Sequence, residues 1–323
     1  MWRALILLLI TFVVYVNFSM SEDAFQGSRH SSHIRIGEKS VRLLVTIPIK
    51  ATNERRNKRM ISNLCRLSFP LHEEIDISFL VDKESDALLR PLIPLMISCD
   101  YLASKIKIEL DPFEVENKKS FVEMEDNSAF RRHDLSIQLQ RRVMIAKARN
   151  YLLDTSLKKY HTHVLHIDSD LQSYETDIVE KLLKIDTDIV VPMCFSSSNE
   201  KLYDLNSWAE TPESLRILKK TPSNVPLFEG YGSSSGRKNV YKLMQEKEQT
   251  GENGPGEKIA TVSLDAVGGT MILVKAKVHR ALGSVNFPLQ LTSHHSVETE
   301  GFAQLAKGKR FEVLGANYKI YHA

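Results

Sequence analysis

Cysteine is scarce: Cys65, Cys99 and Cys194 are the only three in 323 residues. Their odd number and wide separation exclude a disulfide framework and any clustered zinc spacing. At most one disulfide is possible, and buried thiols are the plainer expectation. No block of like charge is present either. The net charge is +3 with 26% charged residues, which gives no footprint for nucleic acid, and none is expected as a partner. There is no internal repeat. Asn-x-Ser/Thr occurs only at Asn17-Phe-Ser, so the body of the chain should carry no N-glycan.

Long apolar runs are absent except at the start. Arg3 precedes an apolar stretch from Ala4 to Val16, and no Ala-x-Ala cleavage site follows. The stretch is short for a membrane span but long enough for a signal core. A positive charge on its leading side favours a cytosolic N-terminus. The expectation is an uncleaved signal anchor rather than a cleaved signal: a cytosolic tail over 1–3, an anchor over 4–20 and a polar stem over 21–40. A catalytic domain over 41–323 would then lie in a lumen.

What remains is ample for one core, with 42% hydrophobic residues. Strand and helix signals alternate along it. Strands are expected over 41–49, 76–81, 106–110, 163–168 and 189–195. Helices are expected over 53–67, 136–156 and 175–185. That alternation implies an α/β domain with a mostly parallel central sheet.

The segment His163-Val-Leu-His-Ile-Asp168-Ser-Asp170 is the most informative in the chain. It reads as a buried strand that ends in two carboxylates one residue apart. Open α/β sheets hold ligands at the carboxyl ends of their strands. Paired carboxylates there suit Mg²⁺ or Mn²⁺, which clamp a diphosphate. A second Asp-x-Asp, Asp186-Thr-Asp188, precedes its strand and so falls on the opposite edge, as a solvated turn. Position, rather than the motif, favours Asp168 and Asp170.

In the helix 136–156, Ile137, Met144, Ala148, Tyr151 and Leu152 share a face expected to pack on the sheet. Gln138, Arg142 and Arg149 fall on another face, suited to phosphate or carboxylate but equally to solvent. Six of the fourteen glycines, Gly230, Gly232, Gly236, Gly251, Gly254 and Gly256, gather in one long segment, as in disorder or a lid. Val262 to Val274 reads as a strand pair broken by Gly268-Gly269, where a backbone or ligand approaches closely. Glu298 and Glu300 precede a helix over 303–307. A strand over 311–314 with a turn at Gly315 leads to Tyr321-His322.

Seven ordered blocks carry a family resemblance. They are Asn63-Leu-Cys-Arg-Leu-Ser-Phe-Pro70 before Ile75–Val81; Arg141-Arg142 with Ala148-Arg149-Asn150; Asp168-Ser-Asp170; Tyr203-Asp204-Leu-Asn206-Ser-Trp208; Glu229-Gly-Tyr231; Asp265-Ala-Val-Gly268-Gly269; and Glu298-Thr-Glu300-Gly-Phe302 with Tyr321-His322. From about Val41 to His322 the chain resembles the fungal Golgi α-1,6-mannosyltransferases of the mannan polymerase complexes, glycosyltransferase family 62.

The resemblance implies a type II Golgi membrane enzyme with a GT-A-type fold, working as a hetero-oligomer with related mannosyltransferases. It implies GDP-mannose as donor, Mn²⁺ as cofactor, and α-1,6 transfer with retention onto a mannose-containing N-glycan. It further implies Asp168, Asp170 and His322 as metal ligands, and Arg142 and Arg149 at the donor. Asp265, Glu298 and Glu300 become the catalytic carboxylates. Asp204, Asn206 and Trp208 become a sugar-facing wall. The chain departs from its relatives at Ser169 and Ala266, and it stops one residue after His322. That short end keeps open a second reading, a non-catalytic subunit of such a complex. A metal-dependent hydrolase using His161, His163 and His166 is remote, because strand alternation puts His166 on the opposite face from the other two.

Overall fold

A computed structural model describes residues 41–50, 53–68, 75–96, 99, 105–113, 135–230, 235–251 and 260–322. The expected tail, anchor and stem over 1–40 lie outside these residues. So do 231–234 and 252–259 of the glycine-rich segment. Among the described residues no helix is long and apolar enough to cross a membrane.

The first element of the described residues is β1 (Leu43–Ile49), which is largely apolar on both faces and buried almost throughout, as a central strand requires. Asn53 then caps α1 (Glu54–Cys65) by accepting from the Arg56 amide. There follow β2 (Ile75–Val81), α2 (Lys83–Leu89), a 3-10 turn, α3 (Ile93–Met96) and β3 (Lys105–Leu110). The long helix α4 (Leu135–Ser156) leads to β4 (His163–Ile167), β5 (Leu171–Tyr174), α5 (Ile178–Leu183) and β6 (Ile189–Ser196). A small two-stranded sheet, β7 (Trp208–Ala209) with β8 (Lys238–Asn239), is interrupted by α6 (Pro212–Lys220) and followed by α7 (Val240–Thr250). Last come β9 (Thr261–Ser263), β10 (Met271–Lys275), α8 (Ala276–Leu282), α9 (Glu298–Gly308) and β11 (Val313–His322).

The nine-stranded sheet has the order β3-β2-β1-β4-β10-β6-β11-β5, with β9 also paired to β11. Strands β1, β2, β3, β4, β6 and β11 point one way, while β5, β9 and β10 oppose them. The expected α/β architecture with a mostly parallel sheet is therefore present. One apolar core, including Val45, Ile47, Met60, Leu64, Phe79 and Val179, lies on one face under α1, α2, α3 and α5. A second, including Leu44, Ala146, Val274, Phe302 and Ala306, lies on the other face under α4, α7, α8 and α9.

Four local expectations need correction. β9 and β10 do not pair with each other: β9 pairs with β11, and β10 fits between β4 and β6. α9 begins at Glu298, so both glutamates are inside its first turn rather than ahead of the helix. β11 is one strand of ten residues that runs past Gly315 without a turn, its register slipping against β6 between Ala316 and Lys319. Cys65 and Cys99 are joined in a disulfide, and only Cys194 is a buried thiol. Sequence spacing held no sign of that bridge. The crossover through β2, α2 and α3 brings the two Cα atoms to 4.8 Å.

Candidate active site

Parallel pairing of β1 with β4 puts the carboxyl end of β4 at the same sheet edge as the end of β1 and the start of α1. Asp168 follows β4 directly, and Asp170 sits in the tight turn into β5. β6 runs in the same direction as β4, so Asp186 and Asp188, at its entry, lie at the opposite edge. There Asp186 pairs with Lys275 and Asp188 with Lys277. Position thus separates the two Asp-x-Asp pairs as expected.

β11 delivers His322 beside this turn through its register with Leu171. The His322 Nε2 atom lies 3.1 Å from Asp170 Oδ2. Its ring stacks on Tyr203 at 3.8 Å between centroids. Burial alone would push the Asp170 carboxyl up, but its bond to His322, and the charges of His322 and Arg56, hold it below the usual value.

Asp168 turns the other way. Its Oδ1 accepts from Arg149 Nη2 at 2.8 Å. Arg149 also donates to the Gly269 carbonyl at 2.9 Å and, through Nε, to Glu298 Oε1 at 2.8 Å. One guanidinium thus bridges two carboxylates and a carbonyl, which a planar fork does well. Burial pushes the Asp168 carboxyl up to about 7; Arg149 opposes the rise, while Asp170, Glu298 and Asp204 add to it. Glu298 holds a backbone φ of 54°, a strained conformation for a residue with a side chain.

Arg142 builds a parallel arm two helical turns away. It donates to Glu300 Oε1 at 2.8 Å and to Asn206 Oδ1 at 2.9 Å, and lies over the Phe228 ring. Asp204 Oδ1 accepts from the Asn206 amide and side chain, and Asp204 Oδ2 from Thr270. Glu300 is fully buried, and burial raises its carboxyl despite the neighbouring Arg142. The di-glycine has a steric cause here. A Cβ on Gly268 would stand 1.8 Å from Asp204 Oδ2, and one on Gly269 would stand 2.8 Å from Arg149 Nη2.

The expected packing face of α4 holds only at Leu152, which is fully buried. Arg142 and Arg149 share the stripe of Ala146 and Leu153, which packs toward the sheet, and Arg149 is only 2% exposed. Met144, Ala148 and Tyr151 are only half-buried. Carboxylates from α9 and β4 compensate the buried guanidiniums, so polar residues occupy the inner face.

Two expected site residues are not brought into the cluster. Asp265 is tied to Lys307 and accepts from the Glu210 amide at 2.7 Å. Trp208 is completely buried under the Arg237 guanidinium, 3.7 Å from its ring centroid, and offers no face to a sugar. The three strand histidines have separate partners: His161 meets Asp76, His163 meets Thr162, and His166 meets Thr46 and His279. They form no shared metal site.

The Anp1 family model matches residues 27–290 of the chain. The chain belongs to the Anp1 family. It is 30% identical over 293 residues to the mannan polymerase II complex anp1 subunit of Schizosaccharomyces pombe, covering 87% of this chain and 64% of that protein. To the ANP1 subunit of Saccharomyces cerevisiae it is 31% identical, covering 87% of this chain and 55% of the other. The chain therefore spans between half and two thirds of the length of these relatives. It overlaps a solved structure of GalNAc-T7 with UDP, GalNAc and Mn²⁺ at a TM-score of 0.47 and 14% identity, covering 88% of this chain and 44% of the other. That likeness is too low to carry an argument.

For a member of the Anp1 family, two contacts at this site escape a reading of the sequence. Tyr203 stands in a family block, but nothing in its spacing foretold that it would stack on His322. Arg59 donates to Gln172 on β5 and to the Asp170 carbonyl. The basic run Arg55-Arg56-Asn-Lys-Arg59 was the available signal, and it reads equally as a solvated helix face.

Proposed function

We propose that the chain is a Golgi mannosyltransferase. In this reading it moves mannose from GDP-mannose to an α-mannoside of an N-glycan outer chain, in α-1,6 linkage with retention. The observation that carries the reading is the meeting of Asp170 and His322 beside Asp168 at the carboxyl edge of the sheet. Family membership and the names of the relatives support it. Those relatives are subunits of mannan polymerase complexes, which also supports assembly with related chains.

Two carboxylates and an imidazole are a donor set that fits Mn²⁺. Among the described residues no three acidic or histidine groups are already gathered around one point. Asp168, Asp170 and His322 would hold the ion once the direct contact between Asp170 and His322 opens. When bound, the ion supplies positive charge to a departing diphosphate. The remaining chemistry belongs to the chain. Arg149 orients Asp168 and offsets its charge. Glu298 and Glu300 are clamped by Arg149 and Arg142, so they orient groups rather than attack. Such locked carboxylates suit delivery of the acceptor hydroxyl on the face the diphosphate leaves. The Cys65–Cys99 disulfide suits an oxidising compartment, in keeping with a lumenal domain behind a signal anchor.

The engagement of Asp168 by Arg149 favours a second reading, a non-catalytic subunit. Transfer from GDP-mannose to a short α-mannoside, with and without Mn²⁺, separates the two. We expect metal-dependent transfer that Asp170→Ala and His322→Ala each abolish, while Asp186→Ala leaves it intact. No transfer, with complex assembly intact, would establish the non-catalytic reading.

A further inference from the structure

The two buried arginines of the site have no charge to spare. Arg142 is matched by Glu300, and Arg149 by Asp168 and Glu298. A divalent ion on Asp168 and Asp170 would be formally neutral with its two carboxylates. A nucleoside diphosphate brings further negative charge to this edge, and something must meet it.

Helix α1 is fastened to the turn that carries Asp170. Arg59 donates to Gln172 Oε1 at 2.5 Å and to the Asp170 carbonyl at 3.4 Å, and Asn63 donates to the Gln172 carbonyl at 3.1 Å. Arg56 lies three residues before Arg59, on the same helix face. Lys58 is paired with Glu54 at 2.6 Å, whereas Arg55 and Arg56 make no ion pair among the described residues. Arg55 is exposed and Arg56 half-buried. Three guanidiniums, those of Arg55, Arg56 and Arg59, thus crowd the first two turns of α1 beside the Asp170 turn. An anion seated here would relieve that crowding.

We infer that Arg56, supported by Arg55 and Arg59, binds the diphosphate of the sugar nucleotide from the α1 side. The inference rests on the donor reading given above. Its chemistry is that of a guanidinium fork on phosphate oxygens, next to carboxylates that hold a metal.

The test is calorimetric titration of the full chain with GDP and Mn²⁺ at low and high salt. Arg56→Gln should weaken GDP binding about tenfold or more, flatten its salt dependence, and leave the melting temperature unchanged. Arg55→Gln/Arg56→Gln should weaken it further. Arg141, exposed on α4 next to Arg142, is the comparison. If Arg56→Gln binds GDP as wild type does, or if Arg141→Gln alone reproduces the loss, the inference is overturned and the donor reading stands. If the wild-type chain binds no GDP at all, the donor reading fails and the inference falls with it.

Discussion

Arg149 is the residue on which the site turns. It is buried, it ties α4 to β4 and α9, and it holds one of the two motif carboxylates. Removing it strands the buried Glu298 and leaves the half-buried Asp168 without its partner, so Arg149→Ala should destabilise the fold by roughly 3 kcal/mol. Arg149→Lys keeps the charge but cannot bridge Asp168, Glu298 and the Gly269 carbonyl together. It should lose both transfer activity and melting temperature, unlike a residue on a solvated face. Urea unfolding of Arg149→Ala, Glu298→Gln and the double variant measures the coupling. If the two single losses simply add, the pair is not the energetic unit described here.

Elements meet in a second buried polar chain behind the site. Thr46 of β1 lies 2.7 Å from His166 of β4, His166 lies 3.2 Å from His279 of α8, and His279 lies 2.9 Å from Asn286. Asn286 donates through Nδ2 to the Gly283 carbonyl, so its Oδ1 accepts from His279 Nδ1. Each ring then accepts on one nitrogen and donates on the other, which requires both to be neutral. Burial lowers His279 to about 4 from 6.5, against its bond to Asn286. The unfolded chain therefore takes up this proton first on acidification. Stability from this group is complete above about pH 6.5 and is lost as pH falls toward 4. The loss is on the order of 3 kcal/mol. Urea midpoints at pH 7 and pH 5 check this. His279→Gln should show a smaller fall between the two than wild type, and an equal fall would remove His279 as its source.

At the scale of the molecule, the Cys65–Cys99 bridge closes a loop with a sequence separation of 34 residues around β2 and α2. A loop of that length restricts the unfolded chain by up to about 4 kcal/mol in the chain-entropy account. Cys65→Ser/Cys99→Ser should lower the melting temperature measurably, and a reductant should do so in wild type but not in the variant. A reductant-insensitive wild type would show that the bridge does not form in solution. Cys65 ends α1, the helix that carries Arg56, so the bridge also ties down the α1 side of the site.

Much of the architecture was legible from residue order alone. Alternating strand and helix periods define an α/β sheet because backbone hydrogen bonding and apolar patterning are local. Asp168 and Asp170 stood out by position, since a carboxyl strand end is recognisable without neighbours. The inner face of α4 was only half legible: Arg142 and Arg149 read equally as partners of a phosphate or carboxylate and as a solvated face, until Glu298 and Glu300 arrived from about 150 residues away to pair with them. Gly268 and Gly269 announced a close approach, but only tertiary structure named Asp204 and Arg149 as the groups approaching. Asp265 and Trp208 carried family motifs, yet Lys307 and Arg237 occupy them. Burial of charge is decided by partners distant in sequence, and no local pattern records who those partners are.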